Sequence, residues 1–184
     1  MPKQRSATLI LALLASATVV ASPRLSAQAA PPDALADLQR HFDMAAEKFV
    51  ALARAMPAET YQWRPMDGVA SVADVYTHIA RYNYFYPETG LGVSAPMGAA
   101  EYNGWEGEVV EKERVVAILT ESMEHVRRTL SGMSAADLEA PTRLYGAEVA
   151  KRAVLLQLIT HMSEHLGQSI AYARSNGVVP PWSG

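Results

Sequence analysis

Gln157-Leu158-Ile159-Thr160-His161-Met162-Ser163-Glu164-His165-Leu166-Gly167-Gln168 carries two patterns at once. Leu155, Leu158, Met162 and Leu166 recur at three- and four-residue spacing, the period of a helix with one buried stripe. His161 and His165 stand four apart, so at ~100° per residue they lie one above the other on one helix face. Gln157, Gln168 and Tyr172 extend that polar line, which flanks the apolar stripe instead of opposing it. The spacing predicts a helix over roughly 146–175. Asn176-Gly177 closes it, and Pro180-Pro181 prevents continuation.

Three further helical segments lie upstream. The first is predicted over 33–56, with Leu35, Leu38, Phe42, Ala45, Ala46, Phe49 and Leu52 on one face and Pro57 at its end. The second is predicted over 71–86. Ser71 is its N-cap, Asp74 stands three residues on as in a capping box, and Val72, Val75, Ile79 and Tyr82 form its stripe. Pro87 is expected to stop it. The third is predicted over 107–130, with Gly132 suited to its C-terminal cap. The Gly- and Pro-containing stretch 87–107 is too long for a simple turn. Loops of that length are often lids, and Tyr102 and Trp105 are expected to anchor this one. No strand alternation is evident. Four amphipathic helices bury their stripes together as an all-α four-helix bundle, and the long connections leave simple up-down-up-down wiring undecided.

The 184 residues suit one domain, and 49% apolar composition is ordinary for a globular chain. A net charge of −3 with no basic patch excludes nucleic acid as a partner. The absence of cysteine excludes disulfides, thiolate ligands and a cysteine nucleophile. Residues 1–29 have the three parts of a secretory signal: Lys3 and Arg5, an apolar run from Ala7 to Ala21, and the cleavage site Ala27-Gln28-Ala29. The apolar run is shorter than the ~20 residues of a spanning helix. The expectation is a cleaved signal over 1–29 and a mature domain over 30–184, periplasmic or secreted, without stable membrane insertion.

An i, i+4 pair of imidazoles can chelate one ion, and a catalytic zinc usually takes three protein ligands and a water. The third ligand must come from another helix. His78, midway along the second, is the best candidate. His41 lies on the first helix, and His125, set among Glu124, Arg127 and Arg128, reads as a solvated face. The string His161-x-x-Glu164-His165 also matches inverted zinc proteases. Those need a carboxylate ligand well downstream, and no Asp or Glu follows Glu164.

Three pieces together resemble the DinB-like superfamily of metalloenzymes, which includes bacillithiol-transferase-type proteins. They are Trp63-Arg64-Pro65 leading into Ser71-Val72-Ala73-Asp74-Val75-Tyr76-Thr77-His78-Ile79-Ala80, then His161 through Gln168, then Tyr172-Ala173-Arg174-Ser175-Asn176-Gly177-Val178-Val179-Pro180-Pro181, typical of the exported branch. The resemblance implies an up-down-down-up four-helix bundle and a frequent homodimer. It also implies one metal held by the histidines here numbered His78, His161 and His165.

Three neutral imidazoles leave the ion its full charge and an open position. The expected cofactor is therefore a divalent metal, Zn2+ first and Ni2+ or Fe2+ as alternatives, acidifying a water to about pKa 7. The expected function is hydrolysis of a small-molecule substrate lying under the 87–107 loop. Glu164 is a candidate general base, or else a hydrogen-bond partner for a ligand imidazole. Gln168 and Tyr82 are candidate substrate contacts, and Asp74 either orients His78 or caps its helix. Trp63, Tyr84, Tyr86 and Tyr145 read as packing residues. Metal-dependent thiol S-transfer is an alternative, disfavoured by the export signal because such thiols belong to the cytosol. A non-catalytic bundle that binds a metal or ligand is another. Cleavage after Ala29 predicts that N-terminal sequencing of exported protein starts at Ala30. An intact Met1 start would contradict it.

Overall fold

The computed structural model describes residues 33–183, so the expected signal over 1–29 lies outside the described residues. Helix α1 (Ala34–Ala55) starts at Asp33, whose carboxylate accepts from the backbone N–H groups of Leu35 and Ala36. It buries Phe42, Ala46, Phe49 and Leu52, the apolar stripe read from the sequence. Helix α2 (Val72–Tyr86) is followed by a π-helical turn at Pro87–Leu91 and the short helix α3 (Ala99–Asn103). Then come α4 (Lys112–Ser131), the short α5 (Ala135–Glu139), strands β1 (Pro141–Leu144) and β2 (Ala147–Ala150), and α6 (Lys151–Ser175).

The second α-helix ends at Tyr86 as expected, and Pro87, at φ −57°, passes the chain into a π turn that ends at Gly92, φ 78°. Two boundaries differ from expectation. The third helix begins five residues late because Gly107, at φ 81°, is left-handed and lies outside it. The stretch 141–150 is an antiparallel hairpin, with Pro141 opposite Ala150 and Leu144 opposite Ala147. Its two-residue turn, Tyr145 at φ 50° and Gly146 at φ 85°, has the doubly left-handed geometry that matches strand twist. Four-residue strands are too short to show alternation, so the helical pattern beside them masked the hairpin.

Long helices α1, α2, α4 and α6 form the bundle, each of α1 and α2 packing against both α4 and α6. Side-chain contacts fix their directions. Tyr172 donates to the Ala70 carbonyl at one end of the α2–α6 seam, and Gly90 meets Val154 at the other, so these helices run antiparallel. Asn83 donates to Ser122 while Leu91 shares a cavity wall with Thr129, so α2 and α4 run parallel. Arg127 pairs with Asp43, and Lys112 reaches the Arg54 carbonyl, so α1 and α4 are antiparallel. The order along the chain is up, down, down, up. A Cβ on Gly90 would lie 2.7 Å from a Val154 methyl, so only glycine permits this approach of the seam. No helix among the described residues is long and apolar enough to cross a membrane.

The start of α2 is fixed by a reciprocal capping box. Ser71 Oγ accepts from the Asp74 N–H at 3.1 Å, and Asp74 Oδ2 accepts from the Ser71 N–H at 2.9 Å. The second carboxylate oxygen, Oδ1, accepts from the Gly107 N–H at 2.9 Å and ties the long connection to the helix. Burial opposes ionisation of Asp74. The Ser71 and Gly107 hydrogen bonds and the Arg64 guanidinium outweigh it and hold the carboxyl below its ordinary 3.8. A carboxyl with a depressed folded-state pKa contributes fully above its unfolded value and loses that contribution as pH falls through the folded one. Asp74→Ala should therefore cost about 1–2 kcal/mol at pH 7. In urea unfolding, the gap from the parent protein should close below pH 3.8; a gap that persists unchanged in acid contradicts the assignment.

Candidate metal centre

The α2–α6 register brings His78 opposite His161 and His165. One ring nitrogen from each lies within 4.8 Å of the other two. Ring centroids are 5.1 Å apart for His78–His161, 4.8 Å for His78–His165 and 4.7 Å for His161–His165. His78 Nε2 and His161 Nε2 face each other at 3.1 Å. Nitrogens around a tetrahedral ion bound at ~2.0–2.1 Å sit about 3.3 Å apart, so the trio needs little adjustment to share one.

Partners on the far side of two rings decide where their lone pairs point. Glu106 Oε2 lies 3.0 Å from His78 Nδ1, and a carboxylate at neutral pH only accepts, so Nδ1 carries the proton and Nε2 a lone pair. Gln168 Oε1 accepts from His165 Nδ1 at 2.7 Å, with the same result. Two lone pairs directed into one space, with a third imidazole against them, form a donor set for a cation. Burial, then the neighbouring His165 and His78, push the His161 pKa down to about 4. Burial likewise lowers His165. Both rings are neutral at pH 7, the state a metal requires.

Glu106 was missed by sequence reading. It lies in the 87–107 connection, where no periodicity singles it out. The local signal was its place between Trp105 and Gly107. Trp105 is buried against Tyr84, and the left-handed Gly107 is held by Asp74, one helical turn before His78. The residue between them, Glu106, projects toward His78. Its second oxygen accepts from Arg81 at 3.0 Å. Burial opposes its ionisation, but the His78 hydrogen bond and Arg81 outweigh that and keep its pKa below the ordinary value. Tyr102 and Trp105 anchor the connection as expected, Tyr102 donating to Glu88 at 2.5 Å.

Other expected residues take different places. Glu164 is exposed beside His165, and the ring partners are Glu106 and Gln168 instead. Gln168, expected at substrate, is committed at both ends, because its Nε2 donates to the Tyr172 hydroxyl at 3.0 Å. Tyr82 does border the trio, its ring 4.7 Å from His78 and 4.6 Å from His161. Asp74 caps and does not touch His78. His41 is exposed on α1. His125 is not solvated: it is 5% exposed, because its face of α4 packs on Tyr84. Tyr84 and Tyr86 are buried as expected, but Tyr145 is 71% exposed, held at the hairpin tip by a 2.5 Å hydroxyl pair with Tyr86. The Tyr86 ring packs edge-on to His161.

The sequence profile of the DinB superfamily matches residues 41–169, a span that includes the whole trio. The chain belongs to the DinB superfamily. Solved structures of DinB-like proteins share the fold. One from Bacillus cereus is 16% identical, with a TM-score of 0.69 over 78% of this chain and 93% of that one. A DinB-family protein from Exiguobacterium sibiricum is 22% identical, with a TM-score of 0.61 over 79% and 93%. YfiT from Bacillus subtilis is described as a probable metal-dependent hydrolase with an unusual four-helix bundle topology. It is 14% identical, with a TM-score of 0.60 over 86% of this chain and 95% of its own. No curated protein matches the chain. This DinB member thus places three imidazoles together on the family's helical scaffold.

Nitrogen NMR of histidine-labelled protein should find His78 as the Nδ1–H tautomer. Glu106→Ala should shift it toward Nε2–H with the helix content unchanged. An Nε2–H tautomer in the parent protein would refute the Glu106 assignment.

Proposed function

We propose that the protein is an exported metal-dependent hydrolase acting on a small molecule, with one divalent ion held by His78, His161 and His165. The observation that carries this is the convergence of three ring nitrogens within 4.8 Å, two of them aimed by Glu106 and Gln168. When bound, the ion supplies Lewis-acid polarisation and acidifies a water to about pKa 7. Zinc is the first choice for three imidazoles, ahead of nickel and iron.

The chain's own residues do the rest. Glu106 acts as a positioning residue: both its oxygens are occupied, by His78 and Arg81, so it fixes a ring and raises its basicity instead of collecting a proton. Glu164 is exposed near His165 and carries no such commitment among the described residues, which leaves it available as the general base. Tyr82 and Tyr86 pack against the trio, so a substrate group beside the ion meets aromatic rings. The donor group holds three histidines with no fourth His, Cys, Asp or Glu among the described residues. That supports an exchangeable position over a closed structural site. Export rests on the N-terminal signal and disfavours thiol transfer.

Natively purified protein should carry one equivalent of metal, lost in His78→Ala and His165→Ala. Glu106→Ala should bind it on the order of 10- to 100-fold more weakly in chelator competition. Ester and amide substrates should then be cleaved only by loaded protein, more slowly in Glu164→Gln. Stoichiometric metal with turnover of thiol substrates alone would overturn the hydrolase assignment, and metal retained in His165→Ala would overturn the site.

A further inference from the structure

A cavity of about 550 Å3 opens between the π turn after α2 and the C-terminal half of α4, sharing no lining residue with the histidine trio. That volume falls in the ~300–1,000 Å3 range of small-ligand pockets. Its lining divides by chemistry. Leu91, Val93 and Met133 form an apolar wall, while Arg128 and Lys151 bring two positive charges against the single negative charge of Asp137. Asp137 is already engaged by the Ser134 N–H and hydroxyl, and Lys151 uses one of its three donors on the Leu91 carbonyl. Arg128 makes no side-chain hydrogen bond or ion pair among the described residues.

His125 also lines this cavity. It is 5% exposed, and its Nε2 is the one buried side-chain polar atom among the described residues that lacks a hydrogen-bond partner. Burial, then Arg128, lower its pKa, so at pH 7 it is a neutral imidazole. The ring borders the cavity while Nε2 itself is shut inside the packing, so His125 reports on what fills the cavity without bonding to it.

We propose that this cavity is a second ligand site, for a small carboxylate with an apolar tail. The carboxylate lies against Arg128 and Lys151 beside the His125 imidazole, and the tail runs along Leu91, Val93 and Met133. A guanidinium and an ammonium give charge-assisted hydrogen bonds to the head, and the wall shelters a few methylenes from water.

The test is titration of histidine-labelled full protein with hexanoate, reading His125 and His161 separately by NMR. The site predicts a saturable shift at His125 with His161 unmoved. Affinity should fall about tenfold in Arg128→Gln, the loss of one charge-assisted bond. Arg128 supports no other group, so this variant keeps the fold; Lys151→Gln gives a second reading of the same head contact. Inorganic phosphate binding as tightly as hexanoate would overturn the apolar half of the proposal, and hexylammonium binding as tightly would overturn the anionic half. Shifts at His161 that track those at His125 would place the ligand at the trio and end the proposal. So would a His125 shift that follows protein concentration instead of hexanoate, since a second copy would then cover the cavity.

Discussion

The antiparallel seam between α2 and α6 is the constraint on which the remaining structure depends. It is closed at one end by the Tyr172–Ala70 hydrogen bond and at the other by contact of Gly90 with Val154. Between these ends the register has no freedom to slide, because side chains in a packed interior interlock at near-crystalline density. His78 therefore faces His161 and His165 for mechanical reasons, before any ion is considered. The i, i+4 spacing supplies two rings from one helix, and the seam supplies the third.

Much of this was legible in the sequence, and the reason differs by element. The limits of α2 were readable because Ser71 and Asp74 satisfy its first N–H groups through side chains, a local chemistry that leaves a local signature. The trio was readable because helical spacing and resemblance agreed on His78, His161 and His165. Glu106 was not, since its role arises from two distant restraints on a connection with no period of its own. His125 was misread for a related reason. Glu124, Arg127 and Arg128 surround it in sequence, but at i, i+3 and i+4 they share one face of α4, and His125, about 100° round from Glu124, falls on the side that meets Tyr84. The hairpin was hidden by its brevity and by the long helical pattern that follows it.

The superfamily relatives share this fold at 14–22% identity. So low a figure is sufficient because a helical bundle asks for apolar stripes at the right period, not for particular side chains. The connections are freer, and here they carry two neighbours of the site: the carboxylate behind His78 and the hairpin-tip tyrosine paired with Tyr86. Chemistry on such a framework is varied most cheaply in the segments that the bundle does not constrain.

Asp74 grips the helix start with one oxygen and the Glu106 segment with the other. Helix ends open far more readily than helix middles. Fraying of a single turn at the start of α2 would thus free Gly107, while Arg81, two turns further along the helix, still held the Glu106 carboxylate at His78. The centre has, in effect, a double mooring: the carboxylate behind His78 is tied to α2 at its first turn and again at its middle, so loosening the frayable end leaves the ring's orientation intact.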